Sequence, residues 1–442
     1  MTERLFGTDG VRGLAGTELT EELAVGLGRA AVLTFGRRGG ARPSFVVGRD
    51  PRASGEWLEA ALVEGIREAG GDVYPVGIEP TPAVAFLVTD LQASGGVVIS
   101  ASHNPPEYNG IKFFDSTGSK LADDAEDEIE AALGEDASSV EVAGALRPAD
   151  DARERYVEHL LDAAESRLDG MHVVVDCANG AASDLAPSVL RRLGAEVHAI
   201  NADPDGKNIN DACGALYPEV AATEVVRLGA DAGVSHDGDA DRALFSDAEG
   251  SIVDGDQVLA ACALALHDRG ALPADTVVTT VMANLGFHHA MREAGIDVVS
   301  SKVGDRYVLE DMVRTGAVLG GEQSGHVIFR DRASTGDGLL TAVRFLSLAA
   351  SSGRSIRDLA SVMRRYPQRL INVEAADRAV AEHTTVSAEV SEAEAALGLE
   401  GRVLVRASGT EPLVRVMVEA ATEELASEHA ERIARAVRAA AV

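Results

Sequence analysis

The stretch Gly95-Gly-Val-Val-Ile-Ser-Ala-Ser-His-Asn-Pro-Pro-Glu-Tyr-Asn-Gly-Ile-Lys-Phe-Phe114 decides the fold. Two short apolar runs flank a polar loop, the pattern of two buried strands joined at one end of a sheet. Pro105 and Pro106 bar both a continued strand and a helix start, so Ser102, His103 and Asn104 are expected at an exposed loop tip. Upstream, Ser44-Phe-Val-Val-Gly48 reads as a further strand. Between the strands, Trp57, Leu58, Ala61, Leu62 and Ile66 fall on one face at helical spacing. Strand, amphipathic helix and strand make a βαβ unit of a layered α/β domain.

The unit recurs. His172-Val-Val-Val-Asp176 passes through a Gly-Ala loop into the helical Ala186-Pro-Ser-Val-Leu-Arg-Arg-Leu-Gly194. Thr276-Val-Val-Thr-Thr-Val281 passes through Asn284-Leu-Gly into another helix, and each helix runs on into an apolar strand. Three related α/β domains are expected from this repetition. Polar residues 135–151 and the stretch Arg364-Arg-Tyr-Pro-Gln-Arg369 read as linkers, with a further boundary near Gly250. The expected domains are 1–150, 151–250, 251–366 and a smaller α+β segment, 367–442. The last ends in a helix from about Thr422 with Leu425, Ala426, Ala430, Ile433, Ala434 and Val437 on one face.

A chain of 442 residues is too long for one core and agrees with several domains. No run approaches the roughly 20 apolar residues that span a bilayer. The three cysteines form no C-x-x-C pair, so neither a disulfide framework nor a zinc site is expected. These features, with no signal peptide at the start, predict a cytoplasmic protein. The net charge of −31 is spread along the chain and argues against nucleic acid and anionic membranes as partners. Lysine is confined to Lys112, Lys120, Lys207 and Lys302 among 40 basic residues. An acidic, lysine-poor and arginine-rich surface fits a halophilic, high-salt cytoplasm. A GC-rich genome explains the arginine but not the acidity.

Five loops carry chemistry. Ser102 is a candidate nucleophile, and His103 beside it suggests a pair. Adjacent side chains on an extended strand diverge, however, which counts against His103 as its base. Lys112 is retained in the strand leaving this loop, and a buried ammonium that sheds its proton can do acid–base work. In Val234-Ser-His-Asp-Gly-Asp-Ala-Asp-Arg242, carboxylates at Asp237, Asp239 and Asp241 recur every second residue and can face one hard cation. An EF-hand is excluded because Arg242 stands where Gly is needed and Ala248 where Glu is needed. Arg242 beside a bound cation suits a phosphate oxygen.

Gly320-Gly-Glu-Gln-Ser-Gly-His326 displays Glu322, Ser324 and His326, either to sugar hydroxyls or as a plain turn. Arg406-Ala-Ser-Gly-Thr-Glu-Pro-Leu-Val-Arg415 offers backbone and hydroxyls at Ser408, Gly409 and Thr410 between two arginines, a phosphate cradle without the Walker ending. Phe6-Gly-Thr-Asp-Gly-Val-Arg-Gly13 surrounds Arg12 with glycines, and Gly48-Arg-Asp-Pro-Arg52 adds two arginines near the first strand.

Taken in order, Gly7–Gly13, Ser100–Pro105, Asp237–Arg242, Gly321–His326 and Arg406–Pro412 resemble the motifs of the α-D-phosphohexomutase family over the whole chain. Phe6–Gly13, Lys302-Val-Gly-Asp-Arg-Tyr-Val308 and Gln323 are similar to its glucosamine-phosphate branch, from which Ala215, Leu216 and Tyr217 depart. The resemblance implies three similar α/β/α domains with mixed sheets plus a smaller C-terminal α+β domain around a central cleft. It implies Ser102 as a phosphoserine that, with Asp237, Asp239 and Asp241, holds one Mg²⁺. Arg12 and His103 would join it in catalysis and Lys112 would serve as the acid–base residue. Arg242, Glu322, Ser324 and His326 would bind substrate, and Arg406, Ser408, Gly409, Thr410 and Arg415 would grip the phosphate not being transferred. The implied reaction interconverts glucosamine 6-phosphate and glucosamine 1-phosphate through a hexosamine 1,6-bisphosphate, which is also the activator. A mannose- or glucose-phosphate substrate, or sugar-phosphate binding without catalysis, are the alternatives. The implied partner is a small phosphosugar, with the chain a monomer or homodimer.

Overall fold

The computed structural model describes residues 4–7, 9–39, 42–135, 142–375, 377–408 and 412–441, the side chain of 378 excepted. These form two units, Met1–Met282 with Ile296–Val362, and Ala283–Gly295 with Met363–Val442.

The first unit holds three sheets. The first contains β1 (Val11–Leu14), β2 (Ser44–Arg49), β3 (Asp72–Ile78), β4 (Gly95–Ile99) and β5 (Tyr108–Phe114) in the order β1-β5-β4-β2-β3. Strands β4, β2 and β3 are parallel, and β5 and β1 run antiparallel to their neighbours. The second contains β6 (His172–Asp176), β7 (Glu196–Ile200), β8 (Ala232–His236), β9 (Ala243–Asp247) and β10 (Ile252–Val253) in the order β10-β9-β8-β6-β7, with the same directions. The third, β11 (Thr276–Thr280), β12 (Asp297–Ser301), β13 (Leu319–Gly321) and β14 (Val327–Phe329), has the order β12-β11-β13-β14 and repeats that pattern without the outermost strand. One topology therefore occurs three times.

The apolar runs are continuous because both faces of a sheet are covered. Phe45, Val47, Val97 and Ile99 join one buried cluster with the helices Glu21–Gly39 and Gly55–Glu68. Their neighbours Val46 and Val98 join another with the helix Thr81–Asp90. The alternation follows the two-residue period of a strand. Each such fully buried side chain contributes roughly 1.5–3 kcal/mol.

The repeated topology also places the chemistry. The hairpin from the inner parallel strand to its antiparallel neighbour is residues 100–107 in the first sheet, 237–242 in the second and 322–326 in the third. These are the Ser102, Asp237 and Glu322 loops, so one position of the fold is used three times. Each lies at the carboxyl end of a parallel strand, where α/β sheets bind ligands.

In the second unit, β15 (Gln368–Glu374), β16 (Arg402–Ala407) and β17 (Leu413–Glu419) form an antiparallel sheet of order β15-β17-β16. The helices Thr384–Leu397 and Glu423–Ala440 cover it, and Thr422 caps the latter by accepting from the Leu425 amide. Ala426, Ala430, Ile433, Ala434 and Val437 are buried as expected, but Leu425 is 39% exposed because it sits in the first turn, beyond the sheet-facing stripe. The helix Leu285–Ala294, which follows β11, groups with this unit. Asn284 at its start bonds the Tyr366 carbonyl and the buried Glu419 carboxylate, both at 3.0 Å, and Arg402 completes that pair. No helix among the described residues is long and apolar enough to cross a membrane.

Candidate active site

Ser102 is not at an exposed tip: it is 2% exposed. Its backbone takes the left-handed conformation, φ +49°, which turns the hydroxyl inward. Four groups hold it there. Its amide donates to Ser100 Oγ (2.9 Å), which in turn donates to Asp50 (2.7 Å). Its carbonyl accepts from Arg52 and from Asn210, each at 2.9 Å. Arg52 is fully buried, pairs with Asp50 at 2.9 Å and also donates to the carbonyls of Asn104, Pro105 and Tyr108. The bend overturns the expectation that Ser102 and His103 diverge, since His103 Nδ1 lies 3.4 Å from Ser102 Oγ. Burial, then the nearby Arg242 and Arg12 charges, lower the imidazole pKa to about 4, so it is uncharged near neutrality.

Ser102 Oγ donates to Asp237 Oδ2 at 2.7 Å, joining the first hairpin to the second. Gly238 permits this approach, because a Cβ there would lie 2.5 Å from the Ser102 carbonyl. Asp237, Asp239 and Asp241 are all buried, and one ligand atom from each lies within 4.8 Å of the others. Burial and mutual repulsion push Asp237 well above the usual carboxylate range and Asp241 upward too. Asp239 goes the other way, because Lys112 and Thr81 outweigh its burial. Oδ1 of Asp239 and Oδ1 of Asp241 are buried and, among the described residues, accept no hydrogen bond. Orphaned carboxylate oxygens around repelling charges fit a hard divalent cation with oxygen ligands.

Lys112 Nζ lies 2.9 Å from both Asp239 and Asp9. Burial alone would discharge it, but the two carboxylates outweigh burial and hold its pKa above the ordinary value. Lys112 is thus held between Asp9 and Asp239, beside the candidate cation site. Arg12, on β1 opposite Gly110, pairs with Asp9. Its Nε and that of Arg242, which is 3.7 Å from Asp241, are buried without hydrogen-bond partners among the described residues. Two such donors beside a cation site suit phosphate oxygens.

In the third hairpin the Glu322 amide donates to the His326 carbonyl (3.0 Å), and Glu322 Oε1 accepts from the Gly304 amide (3.2 Å). The Ala243 amide donates to the Gly325 carbonyl at 3.1 Å and stitches this hairpin to the aspartate loop. Ser324 Oγ and both His326 ring nitrogens are buried and accept or donate no hydrogen bond among the described residues. The first unit therefore brings together Ser102, His103, Lys112, Arg12, the three aspartates, Arg242, Glu322, Ser324 and His326. In the second unit Arg406 on β16 faces Arg415 on β17 directly. Burial and then Arg415 lower the Arg406 pKa. Ser408 beside them is buried, and Gly409 and Thr410 lie outside the described residues.

Sequence reasoning missed the supporting groups. Arg52 was visible only as an arginine near a strand, and Asp9, Asp50, Thr81 and Asn210 gave no signal. The cue was available for Arg52 in its Asp50-Pro-Arg52 spacing, which sets a carboxylate and a guanidinium at one strand end.

Comparisons with known proteins bear on the whole chain. Four family descriptions match it: Phosphoglucomutase/phosphomannomutase, alpha/beta/alpha domain I over 3–139, domain II over 154–250, domain III over 254–366 and the C-terminal domain over 370–436. The phosphoglucosamine mutase of Frankia alni is 55% identical over 99% of this chain and 98% of its own. That of Thermobifida fusca is 54% identical over 98% of each. Among solved structures, a phosphoglucomutase/phosphomannomutase family protein from Burkholderia thailandensis superimposes with a TM-score of 0.83 at 27% identity, covering 100% of this chain and 98% of that one. An Aspergillus fumigatus N-acetylphosphoglucosamine mutase, solved with GlcNAc-6P and magnesium, shares the fold at a TM-score of 0.69 and 19% identity, over 99% of this chain and 96% of that one. With every domain matched and relatives alike along their full length, the chain belongs to the phosphoglucomutase/phosphomannomutase family.

Proposed function

We propose that this chain is a cytoplasmic mutase that interconverts glucosamine 6-phosphate and glucosamine 1-phosphate with Ser102 as the phosphoryl carrier. The observation that carries the reading is Ser102 Oγ, turned inward and 2.7 Å from a buried aspartate triplet, in a chain 55% identical to a curated phosphoglucosamine mutase. Phosphoserine 102 gives its phosphoryl group to the free hydroxyl of the hexosamine monophosphate. The P–Oγ bond breaks, a P–O bond to the sugar forms, and the hydroxyl proton ends on Ser102 Oγ. The resulting 1,6-bisphosphate returns its other phosphoryl group to Ser102 by the reverse step.

Each side chain has a part. A phosphoserine carries about −1.5 to −2 charges, which three carboxylates would repel. Asp237, Asp239, Asp241 and the serine oxygen would hold Mg²⁺, which would supply the charge that balances them. Arg12 and Arg242 turn their unpaired donors to the phosphoryl oxygens. Lys112, between Asp9 and Asp239, serves as the acid–base residue, and uncharged His103 lies 3.4 Å from Oγ. Glu322, Ser324 and His326 take the sugar, and Arg406, Ser408, Gly409, Thr410 and Arg415 take its remaining phosphate.

Intact mass is the direct test: a substoichiometric adduct of about 80 Da that Ser102→Ala removes is expected. Full Mg²⁺-dependent mutase activity in Ser102→Ala would overturn the covalent mechanism. A panel of hexose 1-phosphates ranks the sugars, and mannose or glucose phosphate turning over about tenfold faster than the amino sugar would displace the substrate assignment.

A further inference from the structure

Two of the four lysines meet at one carboxylate. Asp9 lies 2.9 Å from Lys112 and 2.6 Å from Lys120, and Lys120 continues the chain of charges to Asp305. Asp305 Oδ2 is in turn 3.4 Å from His326 Nε2. Lys120 and Asp305 are largely buried, at 14% and 17% exposed. Neither belongs to the serine, aspartate or sugar hairpins.

Their places in the fold give the pair its meaning. Lys120 follows the turn after β5, the strand that carries Lys112, and Ser334 Oγ clamps that turn by donating to the Gly118 carbonyl at 2.6 Å. Asp305 opens the helix Asp305–Thr315, whose N-cap Gly304 holds Glu322 Oε1 through its amide. The next residue, Arg306, pairs with Asp123 just beyond Lys120. The helix start thus touches Glu322 and His326 on one side and the Ser102-bearing domain on the other. We infer that Lys120 and Asp305 are a positioning pair that keeps the sugar-facing hairpin in register with the Ser102 hairpin.

Both groups stay charged, because each outweighs the other's burial. Loss of either charge frees the helix start to shift, and misplacement by about 1 Å costs on the order of 100-fold in rate. A cavity of about 300 Å³ beside the pair, lined by Leu309, Ser334 and Thr335, lets water fill in for a shortened side chain, so the variants are expected to fold.

The inference rests on the sugar-phosphate reading, and calorimetric titration separates the two. Glucosamine 6-phosphate and, separately, inorganic phosphate are titrated into wild type, Lys120→Met, Asp305→Asn and Lys120→Arg. Expected are a loss of at least about tenfold in sugar-phosphate affinity for the first two variants, with inorganic phosphate binding unchanged. Lys120→Arg, which keeps the charge and reach, should recover to within about threefold. Unchanged sugar-phosphate affinity, parallel loss of both ligands, or an Arg variant no better than Met overturns the pair's role. Failure of the wild-type chain to bind the sugar phosphate defeats the underlying reading and the inference with it. If Lys120→Met does not fold, the near-isosteric Asp305→Asn carries the same test.

Discussion

Arg52→Met is the perturbation whose cost the structure specifies best. The guanidinium is buried, 2.9 Å from Asp50, and it donates to four carbonyls of the Ser102 loop. Removing one partner of a buried ion pair costs about 3–5 kcal/mol. The carbonyls add less: Asn210 still serves those of Ser102 and Asn104, and the Pro105 side of the loop is open to water. A total near 4 kcal/mol is expected, read by urea denaturation with Trp57, the only tryptophan, as the fluorescent probe of the same domain. Arg52→Lys keeps a charge for Asp50 but cannot reach four carbonyls with one ammonium, and should lose about half as much.

The pH dependence sharpens the test. Burial already raises Asp50, with Arg52 opposing it, so removing Arg52 raises it further. The folded state then holds a proton that the unfolded chain, with a pKa of about 3.9, has released. Stability of the variant therefore falls as pH rises above the unfolded value, and its deficit should widen with pH until Asp50 ionises in the folded variant as well. A loss under about 1 kcal/mol, or a deficit flat across that range, would show that Asp50 and the loop carbonyls do not depend on Arg52.

Other outcomes follow from the same geometry. Mg²⁺ should raise the thermal midpoint of the wild-type chain, and Asp241→Asn should abolish that response; an unchanged response would remove the aspartates as ligands. Burial raises Asp337, which caps the helix Gly338–Ser352 and accepts from Tyr156 at 2.8 Å, to about 6. Its proton stabilises the fold below about pH 4 and is lost by about pH 6, a fall of about 2–3 kcal/mol that Asp337→Asn should flatten in a denaturation series. Gly238→Ala should push the Ser102 carbonyl aside and cut mutase activity far more than it lowers the thermal midpoint; equal effects would deny the close approach a special role. If the acidic surface is a high-salt adaptation, KCl should raise stability well beyond the screening range of about 0.15 M, whereas a maximum in dilute buffer refutes it.

Much of this was legible from one dimension because strands and loops are local. The apolar runs at 95–99 and 172–176 are buried strands, and the aspartate spacing does gather three carboxylates. What stayed hidden is set by distant residues. The carboxylate partners of Lys112, Asp9 and Asp239, lie over a hundred positions away and leave no local mark beside it. Ser102 looked exposed because a left-handed kink has no sequence marker when the residue is not glycine. The helix Leu285–Ala294 follows β11 in order, but its capping asparagine is claimed by Tyr366 and Glu419. Propensity predicts that it is a helix and says nothing about which core receives it.

The thrice-used hairpin has a consequence for how such a molecule can be taken apart or rebuilt. Each copy presents a different set of groups, the Ser102 hydroxyl from the first, three carboxylates from the second and Glu322, Ser324 and His326 from the third, and each has bonds reaching into its neighbour. One copy taken alone would carry a single kind of group rather than the assembled set. Division of labour among copies makes the trio indivisible, while each slot stays open to independent change in its own loop.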